Sequence, residues 1–243
     1  MWRTALLLCV ALTSGCASVP PDQRVEHDPW EPMNRSVYRF NDAIDRAVAK
    51  PIARGYNKVI PEPVRNGITN FSRNLLAPSS ALNNFLQGKP TQGTEELARF
   101  LFNSTFGIAG IFDVAARGGL EEQRETFGQT LAVWGVPTGP YVVLPFFGPQ
   151  TVRGISVLPL EFYADPLNYY DNTSVRDKIY VLRAVNARAR FLSFESVLEE
   201  SQDRYVTVRE SFLQNLEFRV YDGDPPVDDD EDLYDEFLEE EDY

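Results

Sequence analysis

Apolar residues recur every three or four positions at Met33, Val37, Phe40, Ile44 and Val48, the repeat of one helical face. The spacing predicts a helix over 32–49, with Pro32 in its first turn and Pro51 ending it. Val64, Ile68, Phe71 and Leu75 place a second helix over 63–76, and Pro78 reads as its stop. A short helix over 79–87 closes at Gly88, and another over 94–105 starts at Thr94 and carries Leu97, Leu101 and Phe102. The apolar run 106–116, with Gly107 and Gly110, reads as a closely packed turn between helices. Three further helices are expected over 176–190, 193–200 and 202–220, the last with Tyr205, Val208, Phe212, Leu216 and Val220 in register. No internal repeat interrupts the pattern, and the expected class is mainly α in a single domain over 28–221.

Residues 133–149 break the helical period. They hold Trp134, Val136, Tyr141, Val142, Val143, Leu144, Phe146 and Phe147 among Gly135, Gly139, Gly148 and four prolines. Such proline density forbids a regular helix and disfavours a central strand. An irregular segment this apolar either packs inside the domain as a buried loop or hairpin, or faces something greasy.

The chain has 243 residues, 43% of them hydrophobic and 12% aromatic, enough to build a core. Its net charge of −13 is not evenly spread: 13 of the 36 acidic residues fall within 222–242, leaving 23 against 23 Lys and Arg in the rest. The body is neutral, which argues against nucleic acid as a partner. Residues 222–243 therefore form an acidic tail, disordered by composition, although Leu233, Tyr234, Phe237 and Leu238 share one helical stripe.

Residues 1–15 have the form of a signal peptide: Arg3, a short apolar stretch, then Thr13-Ser14-Gly15 ahead of Cys16. The apolar stretch is too short to span a bilayer. A cysteine after Ser-Gly resembles the bacterial lipobox, in which the cysteine becomes the lipidated first residue. Thr13 stands where Leu is usual, and an ordinary secretory signal cut nearby is the alternative. Ala17, not Asp, follows the cysteine, which in lipoproteins implies delivery to the outer membrane. Residues 16–27, with Pro20 and Pro21, read as a lipidated tether. No later stretch reaches 18 consecutive apolar residues, so no transmembrane helix is expected in the body.

Reactive chemistry is hard to assemble from these residues. His27 is the one histidine, and Cys9 and Cys16 are the two cysteines. His-pair metal sites and disulfides in the mature body are excluded, and a Ser-His-Asp triad is disfavoured. There is no phosphate loop, G-x-S-x-G, dinucleotide fingerprint or CxxC motif. Asp113, Asp165 and the Asn103-Ser104-Thr105 triplet read as caps and turns. No catalytic residue, metal or cofactor is expected.

Several stretches in order resemble the MlaA (VacJ) family of outer-membrane lipoproteins. They are Asp28-Pro29-Trp30-Glu31-Pro32-Met33-Asn34-Arg35, Phe40-Asn41-Asp42, Leu82-Asn83-Asn84-Phe85-Leu86-Gln87-Gly88, Arg99-Phe100 with Asn103-Ser104-Thr105-Phe106-Gly107, Phe112-Asp113-Val114-Ala115, Phe127-Gly128-Gln129-Thr130-Leu131, Trp134-Gly135, Gly139-Pro140-Tyr141 and Leu144-Pro145-Phe146-Phe147-Gly148-Pro149. The resemblance implies a helical ring in the inner leaflet of the outer membrane, with a central amphipathic channel, anchored on the periplasmic face. It implies that phospholipid strayed into the outer leaflet is passed to a soluble periplasmic carrier, MlaC, beside a trimeric porin, preserving lipid asymmetry. On that reading 133–149 is a hairpin controlling the channel. Trp134, Gly135, Gly139, Tyr141, Leu144, Phe146 and Phe147 lie on the lipid path, with Gly135 and Gly139 as hinges. Val37, Tyr38, Phe40 and Asn41 of the first helix are the second candidates for its wall. The competing readings are a structural envelope lipoprotein that binds a porin without moving lipid, and a lipid-cleaving enzyme, for which no nucleophile–base pair is available.

Overall fold

The computed structural model describes residues 27–226; the leader, Cys16, most of the tether and the tail from 227 lie outside the described residues. The described chain is mainly helical, as the periodicity predicts, with one two-stranded ribbon.

The first helix is longer than the sequence suggests. Helix α1 (Glu31–Ile44) runs through a single π turn (Asp45–Ala49) directly into α2 (Lys50–Val59), so Pro51 does not end it. A proline ring collides with the carbonyl four residues earlier in a regular helix. The π turn widens the backbone just before Pro51, and the Lys50 N–H reaches back five residues to the Asp45 carbonyl.

Pro78 is a second stop that fails. Helix α3 (Glu62–Leu86) carries Pro78 in its interior and joins the two helices expected over 63–76 and 79–87. Its pairing with α4 (Pro90–Thr105) is the most extensive in the fold and offsets the lost backbone bond. Helix α4 starts four residues before Thr94, whose hydroxyl donates to the Pro90 carbonyl 2.8 Å away instead of capping the end. The 106–112 loop is packed as tightly as expected. A Cβ on Gly110 would lie 2.4 Å from Asn74 Cβ, and one on Gly107 would lie 2.1 Å from the Phe112 carbonyl oxygen. Asp113 caps α5 (Val114–Arg117) by accepting from the Ala116 N–H, and its carboxylate also meets Arg99 and Asn103.

Besides the single turn of α5, which falls at the end of the run read as a turn, two helices had no prediction: α6 (Phe127–Val133) and α7 (Val152–Ala164). They flank the ribbon of β1 (Tyr141–Leu144) and β2 (Gly148–Thr151), which pair antiparallel with Leu144 opposite Gly148. Pro149 is tolerated because each strand of a two-stranded ribbon is an edge. A 3-10 turn (Pro166–Tyr169), capped by Asp165, leads to α8 (Thr173–Arg190), a second 3-10 turn (Phe191–Phe194), α9 (Glu195–Glu200) and α10 (Arg204–Val220), which is capped by Asp203.

The packing is inverted relative to a water-soluble domain. Among the described residues, 11 hydrophobic side chains are buried, five of them alanines, against 17 polar or charged ones. Helix α4 shows it most plainly. It buries Gly93, Glu96, Arg99 and Asn103, and leaves Leu97, Leu101 and Phe102 on the accessible surface. Helix α1 buries Asn34 and exposes Met33, Phe40 and, in the turn after it, Val48. Lys, Arg, Asp, Glu and Asn are seldom inside a soluble protein, and large apolar surfaces are seldom outside it.

Candidate functional site

The hairpin base is pinned by a buried polar network. Asn34 donates from Nδ2 to Asp28 Oδ1 at 2.7 Å and to the Tyr141 carbonyl at 2.9 Å, and its Oδ1 accepts from the Val143 N–H at 2.9 Å. Asp28 also accepts from the Tyr205 hydroxyl and from Arg209, whose nitrogen is 3.1 Å away. The N-terminal arm joins the ribbon directly, since the Tyr141 N–H donates to the His27 carbonyl at 2.7 Å. Tyr141, Val143 and Tyr205 form a small buried core, with Val37, Tyr38, Phe212 and Leu213 packed against it. Burial pushes the Tyr141 phenol far above its ordinary range; for Tyr205 burial does the same, reinforced by the bond to Asp28.

The tip is built differently. Phe146 and Phe147 are 74% and 76% exposed. Phe146 holds φ at +66°, a strained conformation for a bulky residue. Asn41 clamps it: Nδ2 donates to the Leu144 carbonyl at 2.9 Å and Oδ1 accepts from the Phe146 N–H at 2.9 Å. Phe40 meets the Phe146 ring edge-to-face at 5.4 Å between centroids. The run into the hairpin is held by Trp134 Nε1 donating to the Leu86 carbonyl at 3.0 Å, and by Arg153 donating to the Val136 carbonyl at 2.8 Å. Gly135 and Gly139 both have positive φ, +86° and +69°. Thus Phe40, Asn41, Leu144 and Phe146 come together at the tip, and Val37, Tyr38 and Tyr141 at the base. Trp134 sits apart, against the end of α3.

A second feature has no counterpart in the sequence reading. A hollow of about 880 Å³ opens between α3, α8, α10 and the segment before α6. Among its lining residues are Arg65, Arg73, Arg124 and Arg190, against one carboxylate, Glu62. Amides of Asn57, Asn66, Asn186 and Asn215 supply much of the remaining polar wall. Arg65 donates to Asn57, and Arg73 pairs with Glu122 at 2.8 Å. Among the described residues, the Arg124 and Arg190 guanidiniums have no hydrogen-bonded or ion-paired partner. Arg124 is surrounded by protein yet stays open to the hollow, and this enclosure, with Arg219 nearby, pushes its pKa down. The other side of α3 is unlike this one. Val64, Ile68 and Phe71, with Ile111, Phe112 and Leu182, line an apolar groove of about 520 Å³. The four arginines come from three separate parts of the chain, so no local motif announces them.

Among the described residues no group of three or more His, Cys, Asp or Glu could hold a metal ion. No described helix is long and apolar enough to cross a membrane.

These features define a class first: a mainly helical protein that buries many polar side chains, exposes many large apolar ones and holds a polar hollow, without a described membrane-crossing helix. The family model for the MlaA lipoprotein matches residues 26–219, and the chain belongs to that family. It is 36% identical over 225 residues to the intermembrane phospholipid transport system lipoprotein MlaA of Escherichia coli K12, covering 91% of this chain and 89% of that one. The protein of the same name from Haemophilus influenzae is 36% identical over 244 residues, covering 98% and 96%. A solved structure reported as the structural basis for maintenance of bacterial outer membrane lipid asymmetry superposes with a TM-score of 0.69 at 34% identity, covering 79% of this chain and 98% of that one.

Proposed function

We propose that this protein is an outer-membrane lipoprotein, anchored through Cys16 on the periplasmic face, that withdraws misplaced phospholipid from the outer leaflet. It passes the lipid to a periplasmic carrier of the MlaC kind, beside a trimeric porin, and so maintains lipid asymmetry. The relatives' names point to phospholipid transport, and the solved relative to lipid asymmetry. The observation that carries the reading is the two-sided wall: one helix, α3, presents Arg65, Thr69 and Arg73 to a polar hollow and Val64, Ile68 and Phe71 to an apolar groove.

Lipid crosses a bilayer slowly because its charged headgroup has to enter hydrocarbon. A helical ring with an amphipathic channel removes that barrier by keeping the headgroup on polar side chains and the tails on apolar ones. No covalent bond changes, so no nucleophile, metal or cofactor is required. The outward Phe, Leu and Ile side chains suit immersion in one leaflet, where lipid covers them. Acyl chains on Cys16, at about 0.8 kcal/mol per buried CH₂, hold the body there. The hairpin then serves as the movable wall, hinged at Gly135 and Gly139, with Phe40, Asn41, Leu144, Phe146 and Phe147 along the path.

The test is reconstitution of the mature acylated protein with labelled phospholipid and a carrier. Intact lipid is expected to reach the carrier. A porin complex that forms while no lipid moves would favour the purely structural reading, and release of fatty acid would favour an enzyme.

A further inference from the structure

We infer that the hollow bounded by Arg124 and Arg190 is a headgroup subsite that selects glycerophospholipids with a net-anionic, hydroxyl-bearing headgroup over zwitterionic ones. This deepens the transport reading and rests on it.

Four guanidiniums face one carboxylate in the lining. Two of the four are already engaged, Arg65 with Asn57 and Arg73 with Glu122. Arg124 and Arg190 are left to meet whatever enters. A guanidinium keeps its proton under all ordinary conditions, so enclosure does not neutralise it. Both are open to the hollow, so each can form charge-assisted hydrogen bonds with an incoming phosphodiester. All common phospholipids bring the phosphodiester. They differ in what they carry beyond it. An ammonium headgroup meets like charge from the arginines and finds Glu62 as the one lining carboxylate. A glycerol headgroup brings hydroxyls, which the amides of Asn66 and Asn215 can satisfy. Discrimination of this kind comes from repulsion of the wrong ligand as much as attraction of the right one. The volume of about 880 Å³ is of the size that holds a small ligand.

The experiment compares transfer rates of tail-labelled phosphatidylglycerol and phosphatidylethanolamine from proteoliposomes holding the full acylated chain. Wild type is expected to move the anionic lipid about tenfold faster, a difference of roughly 1.4 kcal/mol. The double variant Arg124→Gln with Arg190→Gln is expected to bring the ratio to about one while still moving the zwitterionic lipid. Arg124→Lys, which keeps the charge, is expected to retain most of the preference. Unchanged helicity and melting behaviour in the variants would exclude simple unfolding. Equal wild-type rates, or a ratio untouched in the double variant, would overturn the subsite while leaving transport standing. No movement of either lipid in wild type would overturn transport and the subsite together. A free-phosphate arm completes the test: if millimolar inorganic phosphate abolishes the preference, the site is for soluble phosphate and the lipid assignment fails.

Discussion

At the base of the β-hairpin, Tyr141 and Val143 are sealed from solvent, Asn34 pairs with the Tyr141 carbonyl and the Val143 N–H, and the Tyr141 N–H is tied to the N-terminal arm. At its tip, a few residues on, two phenylalanines stand three-quarters exposed on a strained turn held by one asparagine. The two ends share a ribbon but not a purpose. The base fixes where the hairpin leaves the body, and the tip is free to meet something outside it.

The largest test of that contrast is Asn34→Ala. The change leaves the Tyr141 carbonyl and the Val143 N–H without partners and removes one donor to Asp28. Buried backbone groups left unpaired cost about 1–3 kcal/mol each, so a loss of about 3–5 kcal/mol is expected. Urea unfolding in detergent, followed by tryptophan fluorescence, measures it. A loss below about 1 kcal/mol would mean the base is not the anchor. Asp28→Asn is expected to come close behind, because Arg209 then has a weaker partner in a buried place.

The two ends were also unequally legible in the sequence. Helices α1 and α10 follow from apolar spacing, and the Gly- and Pro-rich composition of 133–149 marks the hairpin. Spacing finds a helix but not which side is in. Leu97, Leu101 and Phe102 set the period of α4, yet Glu96, Arg99 and Asn103 are the buried side. The usual inference assumes water outside, and it inverts where the surroundings are apolar. Pro51 and Pro78 misled because tertiary packing and a π turn overrode local rules. Helix α7 was missed because it is largely apolar and carries Pro159, which hides the period. Asn34 and Asn41 could be quoted as motif residues, but their partners lie more than a hundred positions away. The arginine-lined hollow had no sequence signal at all.

Asn41→Ala sharpens the contrast at intermediate size. It removes both bonds that hold the tip, for about 1–2 kcal/mol, with the base untouched. Hydrogen exchange at the Phe146 amide is expected to rise while that at Val143 stays protected. Equal acceleration at both would show that the ribbon opens as one unit.

Smaller still is the pair Gly139→Ala and Gly135→Ala. Both need positive φ, which carries about 1 kcal/mol for an alanine. Gly139 adds a close approach, since its Cβ would lie 3.1 Å from Val152 Cβ, whereas that of Gly135 meets open space. Gly139→Ala is therefore expected to destabilise more than Gly135→Ala by a few tenths of a kcal/mol to about 1 kcal/mol. Melting temperatures in detergent decide the order, and a reversed order would place the strain of the hairpin at its entry instead of beside α7.

The smallest effect on folding, and the one that best separates the two ends, belongs to Phe146→Ser with Phe147→Ser. Both rings are already exposed, so stability in detergent is expected to shift by no more than about 0.5 kcal/mol. Phe146→Gly should even gain, because glycine adopts φ of +66° without the penalty a side chain brings. In a bilayer the balance differs. Each phenylalanine inserted into apolar surroundings is worth about 1.5–3 kcal/mol. Losing two is expected to slow lipid transfer several-fold while leaving the fold intact. A protein that keeps both its stability and its transfer rate would show that the tip touches neither lipid nor core. One that loses stability as Asn34→Ala does would show that the tip is core after all. Either result would erase the distinction between the ends, because exposure without function and exposure without independence are the two ways in which it can fail.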